Sequence, residues 1–186
     1  IEFTTGYIFQ VSNSEKINTF DSAKVHYFNA LTLLDYKEDQ DKKYMIYIPL
    51  GDLHEKINRT ISFRYFEKAL SIAEEVEYAD NFQLYLAQRI AYITIKLDKY
   101  QQSILYSLKV IEILERMKNE KDKISYLNYI GNSYYELGQF EKALSYYFQE
   151  LELRRKYNIN PLNDDFLDKL AKVYTALEQY DKALEF

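Results

Sequence analysis

The chain has 186 residues, 47% hydrophobic and 28% charged, with a formal net charge of −5. That charge leaves no cationic surplus to neutralise phosphates and argues against nucleic-acid binding by this segment; the absence of cysteine excludes disulfides, thiol chemistry and cysteine-ligated zinc. Four glycines and two prolines are too few for an all-β chain of many turns, and no apolar run approaches the ~20 residues that span a bilayer and insert in a membrane.

Apolar residues at helical spacing predict helix pairs along the chain. A first unit spans 4–41, and its second helix is Phe20-Asp21-Ser22-Ala23 through Tyr27 and Ala30-Leu31. A second unit spans 42–78 and carries Phe66-Glu67-Lys68-Ala69-Leu70. Its turn is one residue shorter, and Pro49 falls inside its first helix, where the missing N–H predicts a kink. A third unit is 80–119. The fourth, 120–160, is the clearest: Leu127, Ile130, Tyr134 and Leu137 make one stripe, Gly138 signals the stop, and Ala143, Tyr147 and Leu151 make the next stripe. That helix runs to about Tyr157 and Pro161 enforces a break. A fifth unit, 163–186, is incomplete. The start at Ile1-Glu2-Phe3 and the stop inside a helical pattern at Ala183-Leu184-Glu185-Phe186 lead us to expect a piece of a longer protein.

The units share a step of about 40 residues, and a fixed period in this range means stacked supersecondary units. Ile130-Gly131 lies one step after Ile90-Ala91 and one step before Leu170-Ala171, with Leu50-Gly51 a further step upstream. Ala23, Ser103, Ala143 and Ala183 keep the same register, and Ser62 comes one residue early. Gly51, Ala91, Gly131 and Ala171 fall mid-helix, where a glycine costs about 1 kcal/mol against alanine. Close approach of the paired helix offsets that cost. Ala23, Ser62, Ser103, Ala143 and Ala183 would face them, with Tyr27, Phe66 and Tyr147 filling space further along.

The run from Tyr129 to Leu144, YIGNSYYELGQFEKAL, strongly resembles a tetratricopeptide repeat. Leu170-Ala171, Tyr174, Tyr180 and Ala183-Leu184 repeat its pattern with Glu178 at the turn, and Ile90-Ala91, Tyr100 and Ser103 do so with Asp98. The usual repeat is shorter, roughly 34 residues. These helices are therefore expected to be longer, as in bacterial signalling regulators and the adaptor proteins of cell polarity. The resemblance implies an all-α fold: a single array, an α-solenoid of antiparallel helix pairs wound as a right-handed superhelix.

Candidate chemistry is sparse. His26 and His54 are the two histidines, and His54-Glu55 has no second histidine at zinc-protease spacing. Asp35, Glu38, Asp39 and Asp41 lack a calcium loop's spacing and glycine. Arg154-Arg155-Lys156 ends a helix, where positive charge complements the dipole, and a docking patch is the alternative. No phosphate-binding glycine loop and no nucleophile–base pair occurs, so we expect neither cofactor, metal nor catalysis.

The resemblance also implies a concave groove lined by the first helices, with a protein or peptide as partner. Its residues would be Gln88 and Tyr92 in the third unit, Asn128, Asn132 and Tyr135 in the fourth, and Asp168 and Lys172 in the fifth. Asparagine offers both donor and acceptor to an extended backbone, and tyrosine supplies amphipathic contact area. Some members of the family clamp a terminal carboxylate with Lys, Asn and Arg; Gln88, Tyr92, Asn128 and Asn132 lack the basic members. The expected function is a non-catalytic scaffold of a larger, bacterial, signalling or regulatory protein. The rivals are the sensor half of a peptide-regulated transcription factor, kinase or phosphatase, and a self-assembling repeat protein.

Overall fold

A computed structural model of the chain describes residues 18–36, 40–160 and 164–186. The first helix expected within 4–41, the acidic pair Glu38 and Asp39, and the break at Pro161 lie outside the described residues. Among the described residues there is no strand. The helices are α1 (Asn18–Tyr36), α2 (Tyr44–Glu55), α3 (Arg59–Glu75), α4 (Asp80–Lys96), α5 (Tyr100–Arg116), α6 (Lys123–Glu136), α7 (Phe140–Lys156), α8 (Asp164–Ala176) and a final turn, α9 (Tyr180–Ala183). Helices α3, α4, α5 and α7 each have 17 residues, the length that the long repeat leaves for each half.

The chain divides into two compact units, Ile1–Ile93 and Thr94–Phe186. In the first, α2 packs on α3 and on α1. Ala23, Tyr27, Ala30, Ile46 and Leu50 form a core that Leu31, Leu34, Leu53 and Tyr65 cover. In the second, α6 packs on α5 and α7, and α8 on α7 and α9. Ala143, Tyr147, Leu151, Phe166, Leu170 and Val173 form the core there. Three-residue turns at 137–139 and 177–179 fold each second helix back along its first.

The helix ends explain the step of the repeat. Six of the described residues adopt positive φ: Glu77 (54°), Asp98 (54°), Lys118 (56°), Gly138 (70°), Asn158 (52°) and Glu178 (59°). From Asp98 onward they are evenly spaced at half the step. Each closes a helix by two reverse hydrogen bonds. At Gly138, the Gln139 N–H donates to the Tyr134 carbonyl and the Gly138 N–H to the Tyr135 carbonyl, both at 2.9 Å. The same pair of bonds recurs at the other five, so the carbonyls that a helix end would orphan are satisfied. The long repeat is thus two equal halves, each ended by one left-handed residue.

The turn after α2 departs from this rule. It has no left-handed residue; the Asn58 side chain instead accepts from the Ile61 N–H at 3.1 Å and caps α3. Its three residues, 56–58, match the turn at 137–139 in length. The missing residue comes out of α2, in which Asp52–Glu55 follow Gly51 where Asn132–Glu136 follow Gly131. Helix α2 runs through the buried Pro49 without a break.

The mid-helix glycines make room for a ring rather than for a small residue. A Cβ on Gly131 would lie 2.5 Å from Cε1 of Tyr147, and one on Gly51 2.9 Å from the Phe66 ring. The small partner has a different task. The Ser62 hydroxyl donates to the Gly51 carbonyl at 2.7 Å, which satisfies a buried polar group. Between α5 and α6, the Ser133 hydroxyl bonds Ser103 at 3.1 Å and the Tyr129 carbonyl at 2.7 Å.

Candidate functional site

The site lies in the second unit and starts from the stripe on α7. Ala143, Tyr147 and Leu151 make the buried face, and Glu150 sits beside them, fully buried. A carboxylate there must be satisfied, since an unpaired buried charge is far too costly to keep. Arg154, one turn on, meets Glu150 Oε1 at 2.7 Å from both Nε and Nη2, and its guanidinium lies 5.6 Å from the Phe166 ring centroid. Asn128 of α6 donates Nδ2–H to Glu150 Oε2 at 2.9 Å.

From Glu150 a hydrogen-bonded ladder runs along α6. Asn132 Nδ2–H donates to Asn128 Oδ1 at 3.1 Å, and the Tyr147 hydroxyl donates to Asn132 Oδ1 at 2.7 Å. Its polarity has a physical cause at each end. A carboxylate only accepts, so Asn128 must turn its NH2 group toward Glu150 and its oxygen toward Asn132. At the other end, burial and the nearby Glu150 carboxylate push the Tyr147 phenol far above its ordinary value, so it stays protonated and donates. Each asparagine spends one N–H and one acceptor site in the ladder. One N–H and one lone pair remain on each half-buried side chain.

The ladder borders a cleft of about 290 Å³. Asn132, Tyr135, Tyr147, Ile95 and Tyr100 line it, together with Asp98, Glu136, Lys169 and Lys172. Tyr135 rests against Phe140, ring centroids 5.6 Å apart. Lys172 pairs with Asp168 at 2.6 Å, and Lys169 with Asp165 at 2.5 Å. Of the residues expected from sequence, Asn128, Asn132, Tyr135, Asp168 and Lys172 therefore meet at one place. Three line the cleft, Asn128 supports Asn132, and Asp168 holds Lys172.

Gln88 and Tyr92 lie on α4 in the first unit, half-buried and 38% exposed respectively. Between them in sequence, Arg89 reaches Asp52 at 2.6 Å and also bonds Glu55, with its guanidinium 5.0 Å from the Phe66 ring centroid. Burial raises the Asp52 carboxyl above its ordinary value, against the lowering influence of Arg89. Sequence reasoning missed this clasp, and it missed Glu150 and Tyr147 as partners of the asparagines. For Glu150 a signal exists: it follows Ala143 and Tyr147 of the stripe at helical spacing, so a carboxylate falls on an apolar face. Arg154, read as a dipole partner or docking residue, is the counter-ion of that carboxylate. No cluster of acidic or histidine side chains suited to a metal occurs among the described residues.

Residues 128–160 match the sequence profile of the tetratricopeptide repeat. With the paired helices and the recurrent turns, this match gives the chain a tetratricopeptide-like fold. Tetratricopeptide repeat protein 29 of Trypanosoma brucei brucei is 24% identical over 147 residues, which cover 75% of this chain and 30% of that protein. Among solved structures, the apo form of RapI is similar over 98% of this chain and 65% of its own, with TM-score 0.67 and 24% identity. A Rap protein complexed with Competence and Sporulation Factor is similar over 99% of this chain and 50% of its own, with TM-score 0.53 and 20% identity. The chain spans 15% to 30% of the length of the curated relatives it matches.

Proposed function

We propose that this chain is a non-catalytic binding module that holds an extended protein or peptide segment against α6 and α8. The observation that carries the reading is the ladder beside the cleft. Two asparagines are locked in orientation by a buried carboxylate, and each keeps one donor and one acceptor unused. An extended backbone presents the same pair of groups at each residue. Preorganised amides lose little rotamer freedom on binding, which favours their use as contacts. Tyr135 and Lys172 add apolar and charged contact at the same cleft. Gln88 and Tyr92 are proposed as contacts of the first unit, and the repeats at 42–78, 80–119 and 120–160 as the pieces of one array.

A finer proposal is the setting: a sensor or scaffold part of a larger bacterial signalling protein. Likeness in fold to a Rap protein complexed with Competence and Sporulation Factor supports it. Panning random nonapeptides, displayed on phage, against the folded chain tests the binding reading. Selected peptides are expected to lose about tenfold in affinity against Tyr135→Ala, roughly 1.4 kcal/mol for one aromatic contact. Failure to enrich any sequence, or full affinity for the variant, would sink the reading.

A further inference from the structure

The charges of the cleft are unequal, and that decides what it accepts. Four charged side chains line it: Asp98, Glu136, Lys169 and Lys172. The two lysines are already matched along α8 by Asp165 and Asp168. Asp98 accepts a hydrogen bond from the Tyr100 hydroxyl at 3.2 Å. Among the described residues no cation pairs with Asp98 or Glu136. Four carboxylates against two ammonium groups leave the neighbourhood at −2. An acidic occupant would have to break the lysine pairs and lie beside two uncompensated carboxylates. A basic occupant meets both carboxylates without breaking anything. The aromatic lining points the same way. Tyr100 and Tyr135 offer ring surface to a cation and to its aliphatic stem; burial raises the Tyr100 phenol above its ordinary value, and the nearby Asp98 and Glu136 carboxylates add to the rise.

We propose that this cleft takes the side chain of a lysine or arginine from the bound segment, its cation held by Asp98 and Glu136 and its stem lying on Tyr100 and Tyr135. The inference rests on the reading that the cleft holds a protein or peptide segment. Arginine fits better than lysine, because its planar group stacks on tyrosine and bonds two carboxylates at once.

The same random nonapeptide library, with blocked ends so that no terminal charge competes, tests it on the full chain. Selected peptides are expected to show Arg or Lys over Asp and Glu by at least about fivefold at one position. The double variant Asp98→Asn/Glu136→Gln is expected to abolish that preference while still selecting peptides. Asparagine tolerates the left-handed backbone of residue 98, and Glu136 is exposed, so the fold survives both changes. The variant Lys169→Gln/Lys172→Gln is expected to keep the preference or strengthen it. Peptides selected without a basic residue, or a preference that persists in the double carboxylate variant, would overturn the inference and leave the binding reading standing. A library that enriches nothing would remove both.

Discussion

Two glycines of the fourth unit are held by different forces, and substitution separates them. Gly131→Ala gains about 1 kcal/mol of helix propensity but drives a methyl against Tyr147, and overpacking of that kind costs about 1–3 kcal/mol. The net expectation is a loss of about 0–2 kcal/mol, with the Tyr147–Asn132 bond disturbed as well. Gly138→Ala meets no atom within 4 Å, yet its φ of +70° alone should cost about 1 kcal/mol. The converse change, Glu178→Gly, relieves a left-handed glutamate and is expected to stabilise by about 0.5 kcal/mol, since glycine returns part of the gain as chain entropy. Urea midpoints of the three variants, at unchanged m-value, check all of this. A Gly131→Ala variant more stable than the parent would refute the close contact.

At the scale of helices, two buried polar groups set how elements hold together. Glu150 ties α6 to α7 through Asn128 and pairs with Arg154. Glu150→Ala leaves Arg154 without its counter-ion and should cost about 3 kcal/mol or more, whereas Glu150→Gln keeps the shape and should cost less. Only the glutamine variant is expected to fold well enough to reveal freed asparagine amides by NMR. His54 acts on the other unit. It is buried on α2, edge-on to Phe20 of α1 at 5.3 Å and stacked on Tyr65 of α3 at 5.7 Å, and neither ring nitrogen has a hydrogen-bond partner. Burial, with Lys24 of α1 adding to it, lowers its pKa below the ordinary 6.5. Asp52 and Glu55 of the same helix are held by Arg89. Below pH 6.5 His54 therefore binds more protons in the unfolded chain than in the folded one. Stability rises with pH through that window and is lost as pH falls through it. Melting temperatures between pH 7 and pH 5 are expected to drop in the parent and to flatten in His54→Phe; equal slopes would exclude His54 as the cause.

For the molecule as a whole, charge is the property that sequence determines most directly. At −5 the chain is expected to offer little counterion release to a phosphate backbone. A mobility-shift titration with duplex DNA at about 150 mM salt is expected to show no complex at about 10 μM protein, and a sequence-independent shift would contradict this. Helix positions were legible for a related reason. Stripes such as Leu127, Ile130 and Tyr134 depend on local spacing, and local spacing is written in the chain. The turns at Gly138, Asp98 and Glu178 could be placed because all three share one register. The groove residues were legible as positions but not as chemistry. The repeat places Asn128 and Asn132 on one helix face, but it does not say that a carboxylate on the next helix orients them.

The sequence by itself determined the helix pairs, their period and the helix ends at Asp98, Gly138 and Glu178, because each follows from contacts within a few residues or from backbone preference. It also determined the net charge. Only the tertiary structure decided that the glycines make room for Tyr147 and Phe66, that Pro49 sits inside an unbroken helix, and that Glu150 fixes the polarity of the asparagine ladder. Those facts depend on which side chains of different helices meet, and at which atom. Periodicity carries no information on that, because it is the same for every residue at a given position of the repeat.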